Sequence, residues 1–317
     1  MTGSPPRPEG PSGLLLVDKD PGGTSHDVVQ RVRRLLKQKK VGHCGTLDPD
    51  ATGLLLLTLG SATRLTRFLI RAPKVYEGTL RLGVTTDTYD ATGRVVAEAP
   101  AGGLTTAAVA AAMGAFEGTS EQRPPPYSAK KVGGVKYYEL ARRGEEVPQE
   151  TKEVTVFEFK PLGELSGPDA SGARSLRFLL SCSSGTYARS LAHDVGQALG
   201  CGAHLAALRR TQIGPFTVGS ALSHAALEER LSAGEGPGDA WVPFDQIPLP
   251  FGEVTADPQQ EQRIHHGQTV LVRELAGEEG DWVKLLNRRR ELIAVGTVVE
   301  RIGAGGVGVV QPKVVFR

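Results

Sequence analysis

Leu14-Leu15-Leu16-Val17 is a short apolar run closed by Lys19, Pro21, Gly22 and Gly23, a pattern that predicts a buried strand ending in a turn. Thr24 with Asp27 three residues on has the form of a capping box, and Val28, Val32, Leu35 and Leu36 fall on one helical stripe, so a helix follows. The rest of that helix is basic, with Arg31, Arg33, Arg34, Lys37, Lys39 and Lys40 and no acidic residue between Val28 and Leu47. Between Val75 and Val84, Leu80, Leu82 and Val84 alternate with Thr79 and Arg81, which predicts a strand with one covered face. Residues 105–115 and Tyr187–Leu199 read as helices, the second with Leu191, Val195 and Leu199 four apart and Gly200 as its stop; Val154–Phe159 and Leu176–Cys182 read as strands. Strands in succession and beside helices, without a regular βαβ repeat, favour an α+β fold over a doubly wound sheet.

Punctuation between these elements suggests the organisation. Residues 1–12 are rich in Pro and Gly with no apolar centre, and are expected to be a disordered tail rather than a signal or anchor. The stretch 122–152 opens on three prolines and interleaves Lys130, Lys131, Lys136, Arg142 and Arg143 with Tyr127, Tyr137 and Tyr138, the character of an exposed excursion. Residues 232–252, rich in Gly, Pro and acid, divide a domain at 13–248 from a small one at 249–317 whose valine-rich runs predict strands. A length of 317 residues accommodates both.

Charge changes this picture only locally. Lys plus Arg is 37 against 35 Asp plus Glu, and the net charge of +2 does not by itself imply a polyanion partner; the basic clusters have to carry that case. Cys44, Cys182 and Cys201 are too few and scattered for a disulfide framework, which points to a reducing compartment, the cytoplasm by default. The longest apolar runs fall far short of the roughly 20 residues of a membrane helix.

The densest set of special residues is Gly42-His43-Cys44-Gly45-Thr46-Leu47-Asp48-Pro49-Asp50-Ala51-Thr52-Gly53. Close glycines, a His and an Asp ahead of a Pro describe a loop of fixed backbone, and on residues alone a capped structural turn fits as well as a functional loop. Cys44 beside His43 is weak ground for a nucleophilic thiol, since sequence neighbours rarely have the geometry of a catalytic pair. Cys201 and His204 have a metal-like spacing but no second pair, and read as a small buried Cys and a surface His. Gly22-Gly23-Thr24-Ser25 at a helix start suits a backbone phosphate better than a nucleotide, because the P-loop frame is missing. Asp48-Pro49-Asp50-Ala51-Thr52 also fits D-x-D-x-T of metal-dependent aspartyl phosphatases, but lacks the hydrophobic strand expected in front of it.

The run GHCGTLDPDATGLLLLTLGSATRLTRFL resembles the catalytic motif of the TruB family of tRNA pseudouridine synthases. The likeness continues through Lys19 and Gly22 to Ser25, KVYEGTLRLGVTTDTYDATG, RPPPYSAKKVGGVKYYELARRGEEVP, SCSSGTYARSLAHDVG and GCGAHLAALRRTQIGPF, and is weaker from about residue 250, where Ile264, Gly267 and Val270 are similar to a PUA domain. Two positions depart from the family pattern: Asp20 stands where Pro is usual, and Arg64 where Lys is common. The resemblance implies a pseudouridine synthase fold with a mixed, largely antiparallel central sheet, and a β-barrel-like PUA domain. It implies conversion of uridine to pseudouridine at position 55 in the T loop of tRNA, without guide RNA, metal, cofactor or obligatory protein partner, by a monomer. Asp48 would be the nucleophile, Arg189 the cation that keeps it ionised, and Tyr76 a stacking and proton-transfer group. His43 would help keep the target base extruded, and Tyr187 and Leu208 would wall the pocket, Leu208 in the last matched segment, read as a substrate-contacting loop. Lys19, Arg31, Lys130, Lys131, Lys136 and Arg142 would face RNA, and Arg288-Arg289-Arg290 suggests a further contact or a solvated hairpin. The C-terminal domain would add affinity rather than chemistry. The alternatives are a guide-RNA-dependent synthase, the aspartyl phosphatase, and a non-catalytic tRNA-binding or chaperone protein; the Tyr-rich basic insertion favours the standalone enzyme.

Overall fold

Leu14 to Val17 bring no polar side chain into strand β1 (Gly13–Lys19), which in the computed structural model is covered on both faces. The structure describes residues 10–127, the backbone of 131–132 and 135–136, and residues 151–303 and 306–316. Thr24 and Asp27 close a full capping box on helix α1 (Ser25–Leu35), whose inward stripe is Val29 and Val32, with Val28 only half-buried. Short β2 (Val41–His43) leads into the glycine-rich loop, and the apolar run behind it is β3 (Thr52–Leu59). After α2 (Thr66–Leu69) the alternating segment forms β4 (Lys74–Leu82), ending at Gly83 in the left-handed region before a separate ladder of β5 (Val84–Thr86) and β6 (Val95–Glu98). The chain continues through α3 (Thr106–Gly114), β7 (Gly118–Gln122), a ladder of β8 (Lys131–Val132) and β9 (Val135–Lys136), β10 (Lys152–Pro161) and β11 (Arg174–Cys182). Helix α4 (Ala188–Ala198), β12 (Ala203–Ile213), β13 (Phe216–Thr217), β14 (Leu222–Ser223), α5 (His224–Ser232) and β15 (Trp241–Pro243) complete the first unit.

These strands make one mixed sheet of order β14-β1-β3-β12-β4-β11-β10-β7. Its neighbours pair antiparallel except β14 with β1 and β3 with β12, the latter joined only at Thr52–Arg209 and Gly53–Arg210. That short parallel seam separates two apolar clusters, one built on β1, β3 and α1, the other on β4, β11, β10, α3 and α4. The loop between β2 and β3 spans the seam, with Cys44 in the first cluster and Leu47 and Ala51 in the second.

One reading changes here. The segment around Leu208, expected as a loop, is a central strand, because Arg210 enters the interior instead of breaking it. Within the Gly- and Pro-rich stretch 232–252, β15 pairs with β1, and Ala240, Ile247 and Leu249 are buried.

The second sheet, order β16-β18-β19-β20-β17, contains β16 (Gly252–Thr255), β17 (Val270–Val272), β18 (Trp282–Leu286), β19 (Leu292–Ile302) and β20 (Val307–Val315), with α6 (Pro258–His265) against it. Val254, Ile264, Leu285 and Val310 form its own core, yet Leu286, Leu292, Val295, Val314 and Phe316 belong to the cluster of β1 and β3. Phe316 packs edge-on against Phe244 at 4.8 Å and Trp282 against Phe68 at 4.8 Å. Removing residues beyond 250 would therefore uncover part of the first unit's core, so this unit contributes stability besides any affinity.

Candidate active site

Asp48 sits in a turn whose backbone is fixed from both sides. Ala51 N–H donates to the Asp48 carbonyl at 3.1 Å, with Pro49 next after Asp48, where its locked φ suits the turn. Three buried side chains from three elements hold the surrounding loop. Lys19, ending β1, donates from Nζ to the carbonyls of Asp20 (3.0 Å), Pro49 (2.7 Å) and Ala51 (2.8 Å). Ser25, opening α1, accepts from Leu47 N–H at 2.8 Å and donates to the Leu47 carbonyl at 3.1 Å. Arg210, in β12, donates to the carbonyls of Leu54 (2.8 Å), Gly45 (3.0 Å) and Thr46 (3.4 Å). Gly53 lets β12 approach: its φ is +97°, and a Cβ there would lie 2.3 Å from the Arg210 carbonyl oxygen.

Lys19 is thus not an RNA-facing cation. It is 2% exposed, and its ammonium protons are committed to carbonyls. Burial lowers its pKa against the raising influence of Asp50, Asp20 and Asp48. In Lys19→Met the carbonyls of Asp20 and Ala51 lose this donor, while Pro49 keeps Gly22 N–H at 3.0 Å. We expect denaturant unfolding to show a loss of about 2 kcal/mol, partly offset because a buried charge is also removed.

The Asp48 carboxylate meets Arg189 through both oxygens, Nε to Oδ2 at 3.0 Å and Nη2 to Oδ1 at 3.2 Å, a bidentate fork. The Arg189 side chain is only 8% exposed; its Nη1 also contacts Asp90 Oδ2 at 3.2 Å and the Thr88 carbonyl at 3.2 Å. Although 46% of the Asp48 side chain is open, protein crowds the rest of it, and this desolvation raises its pKa. Arg189 pulls it back down and Asp90 adds to the rise. With its charge half-solvated and doubly bonded to a guanidinium, the bidentate geometry decides the state at neutral pH, and Asp48 is an anion.

Around this pair, Leu47, Ala51 and Tyr76 lie in one apolar cluster with Leu208 packed against it. Tyr76, in β4, is buried; burial raises its pKa against Arg210 nearby, so it holds a neutral phenol. His43, ending β2, has its pKa lowered by burial and then by Arg210, and its Nδ1 is buried without a hydrogen-bond partner. Tyr187 caps the start of α4 and exchanges two backbone hydrogen bonds with the Gln122 amide, at 2.8 and 3.1 Å. Arg31 is exposed on α1. Lys131 and Lys136 are register partners in the backbone of the β8–β9 ladder, while Lys130 and Arg142 lie outside the described residues.

Other candidates lose their chemistry. Burial pushes the Cys44 thiol up to about 12, leaving no nucleophilic thiolate. His204 is buried rather than on the surface, its Nδ1 2.8 Å from the Val84 carbonyl, and no group of three or more metal-ligating side chains occurs among the described residues. At the α1 N-terminus the capping box occupies the Thr24 and Asp27 N–H groups and sets the Asp27 carboxylate where an anion would lie. Arg290 pairs with Glu253, and Arg288 and Arg289 stay exposed in the turn after β18. A cavity of about 480 Å³ lined by Phe68, Phe251 and Trp282 shares no residue with the Asp48 cluster. Asp90 and Arg210 were not singled out from sequence. Asp90 lies within the TTDTYDATG stretch matched for Tyr76, and its turn-forming Thr neighbours, whose hydroxyls bond Oδ1 at 2.7 and 2.6 Å, were the available signal.

The α+β mixed sheet that carries this clamped carboxylate has the fold of known pseudouridine synthase structures. The chain superposes on a crystal structure of a Cbf5-Nop10-Gar1 complex with a TM-score of 0.73 and 27% identity, covering 96% of this chain and 85% of that one. An H/ACA RNP bound to a substrate RNA containing 2'-deoxyuridine gives 0.71 and 26%, over 96% and 85%. Residues 33–188 match the N-terminal domain of the TruB family pseudouridylate synthases, and residues 189–239 the tRNA pseudouridylate synthase B C-terminal domain. The tRNA pseudouridine synthase B of Solibacter usitatus is 43% identical over 90% of this chain and 96% of its own, and that of Thermobifida fusca 49% over 81% and 86%. The chain belongs to the TruB family of pseudouridine synthases.

Proposed function

We propose that this protein isomerises uridine to pseudouridine at position 55 in the T loop of tRNA, as a standalone cytoplasmic monomer needing no guide RNA. The observation that carries the chemistry is the bidentate Asp48–Arg189 pair on a turn clamped by Lys19, Ser25 and Arg210. Pseudouridine formation breaks the glycosidic C–N bond, turns the base and joins a ring carbon to the same sugar carbon; that ring carbon loses a proton and the freed nitrogen gains one. No electron or group enters from outside. The carboxylate of Asp48 is the nucleophile, and Arg189 fixes its charge and direction. Tyr76 stacks on the uracil and passes the proton, while Leu47, Ala51 and Leu208 keep water from the intermediate.

The base has to leave the stack to reach Asp48, with His43 and Tyr187 holding it outside the loop. Arg31, Lys130, Lys131, Lys136 and Arg142, with the tyrosines of 122–152, grip the backbone, and the C-terminal unit acts as a PUA-like RNA-binding domain. The curated relatives, named for tRNA, support the standalone reading over the guided one suggested by the H/ACA neighbours. Three free, buried cysteines suit a reducing compartment. An unmodified tRNA transcript incubated with the protein and a chelator, without guide RNA, should gain one pseudouridine in its T loop, mapped by mass spectrometry. Product that appears only with a guide RNA, or only with a divalent metal, would overturn the reading.

A further inference from the structure

Tyr89, in the loop between β5 and β6, has φ +64°, and is the only aromatic residue among the described ones in the left-handed region. An L-residue of this size holds that conformation only where its surroundings fix it. Its two chain neighbours both reach the same atom: the Thr88 carbonyl and Asp90 Oδ2 each lie 3.2 Å from Arg189 Nη1. The reversal at Tyr89 is what lets a carbonyl and a carboxylate two residues apart converge there. The Tyr89 ring lies flat on the His193 ring, with centroids 3.8 Å apart and planes 11° from parallel. His193 follows Arg189 by one turn on α4, so the stack ties this loop to the helix that carries the arginine. The His193 Nδ1 is buried without a hydrogen-bond partner, so that nitrogen gives the ring no anchor and the contact with Tyr89 is what orients it.

We propose that Tyr89 and His193 are positioning residues, which hold Thr88 and Asp90 against Arg189 and thereby aim its fork at Asp48. The proposal rests on the assignment of Asp48 as nucleophile and Arg189 as its partner. A stacked pair acts through ring area and not through its polar atoms, which separates this role from proton transfer by the phenol or imidazole.

The test compares His193→Ala and Tyr89→Ala with His193→Phe and Tyr89→Phe, adding Tyr89→Gly, which relieves the left-handed backbone without restoring the stack. Single-turnover isomerisation of a tRNA transcript and its Kd are measured on the full chain, with thermal unfolding alongside. The Ala and Gly variants should isomerise about 10- to 100-fold more slowly with Kd changed less than about threefold, since a small misdirection of a reacting group is enough. The Phe variants should stay within about threefold of wild type, because they keep the stack. Wild-type rates in a folded His193→Ala or Tyr89→Gly protein would overturn the proposal, as would Phe variants as slow as the Ala ones. Asp48→Asn run in parallel separates the two levels: turnover by that variant defeats the nucleophile assignment, whereas an inert Asp48→Asn beside a fully active His193→Ala defeats only the positioning role.

Discussion

Asp48→Asn is expected to reduce pseudouridine formation by at least about 10³-fold while the protein folds and binds tRNA as before. Asn keeps the shape of the side chain and one acceptor for the Arg189 fork, but it is a poor nucleophile. Folding should not suffer, and the direction of the pKa shift says why. Burial puts the folded pKa of Asp48 above its unfolded value. Its ionised form therefore costs stability once pH rises through the folded pKa, and at neutral pH Asn removes that cost. Arg189 would not be stranded, because Asp90 and the Thr88 carbonyl still meet its Nη1. Most tRNA affinity comes from phosphates away from the reacting base, so Kd should move little. Single-turnover assays with mass-spectrometric detection, filter binding and a thermal melt check the three claims separately. Substantial product from verified Asp48→Asn protein would end the nucleophile assignment, and a collapsed melt would show that the carboxylate is a structural anchor instead.

How much of this site could be read in advance depended on whether a residue's role was local. The Thr24–Asp27 capping box, the alternation through β4 and the spacing of Leu191, Val195 and Leu199 are short-range patterns, and each appears in the structure as an element of the expected kind. Gly45, Pro49 and Gly53 marked the Asp48 loop as one of fixed backbone, but that pattern fits a structural turn equally well, and the family resemblance is what singled out Asp48 within it. Lys19 and Arg210 were not legible in their roles, for one shared reason. A cation in sequence reads as solvated, yet each ends buried against carbonyls of the Asp48 loop, about 30 and 160 residues away along the chain. The same long-range pairing hid β12, since an apolar run interrupted by Arg209-Arg210 looks like a loop until the interior supplies acceptors for the guanidinium. Residues 232–252 carry the Pro and Gly punctuation of a boundary between units, yet Ala240, Ile247 and Leu249 still find the core, which punctuation alone does not reveal. The family resemblance located Arg189 and Tyr76, whose meeting with Asp48 no spacing along the chain would have revealed.

Arg189→Ala should lower the single-turnover rate at neutral pH by about 10²- to 10³-fold, and part of that loss should return as pH rises. In the wild-type protein the desolvation that raises the pKa of Asp48 is opposed chiefly by Arg189, while Asp90 pushes in the same direction as burial. Taking the guanidinium away leaves the Asp48 and Asp90 carboxylates facing one site without their shared partner, with Lys19 as the smaller opposing influence that remains, so the pKa of Asp48 climbs further. The nucleophile is the ionised form, whose fraction falls as pH drops through that pKa. The acid limb of the rate profile should therefore lie above the ordinary aspartate range in wild type and move to still higher pH in Arg189→Ala. Arg189→Lys keeps the charge without the fork: its limb should stay close to the wild-type position, while its plateau remains low because one ammonium cannot hold both carboxylate oxygens. The two variants thus separate the charge of Arg189 from its geometry. An Arg189→Ala profile whose limb coincides with wild type, lowered equally at every pH, would mean that Arg189 only aims Asp48 and has no part in keeping it ionised.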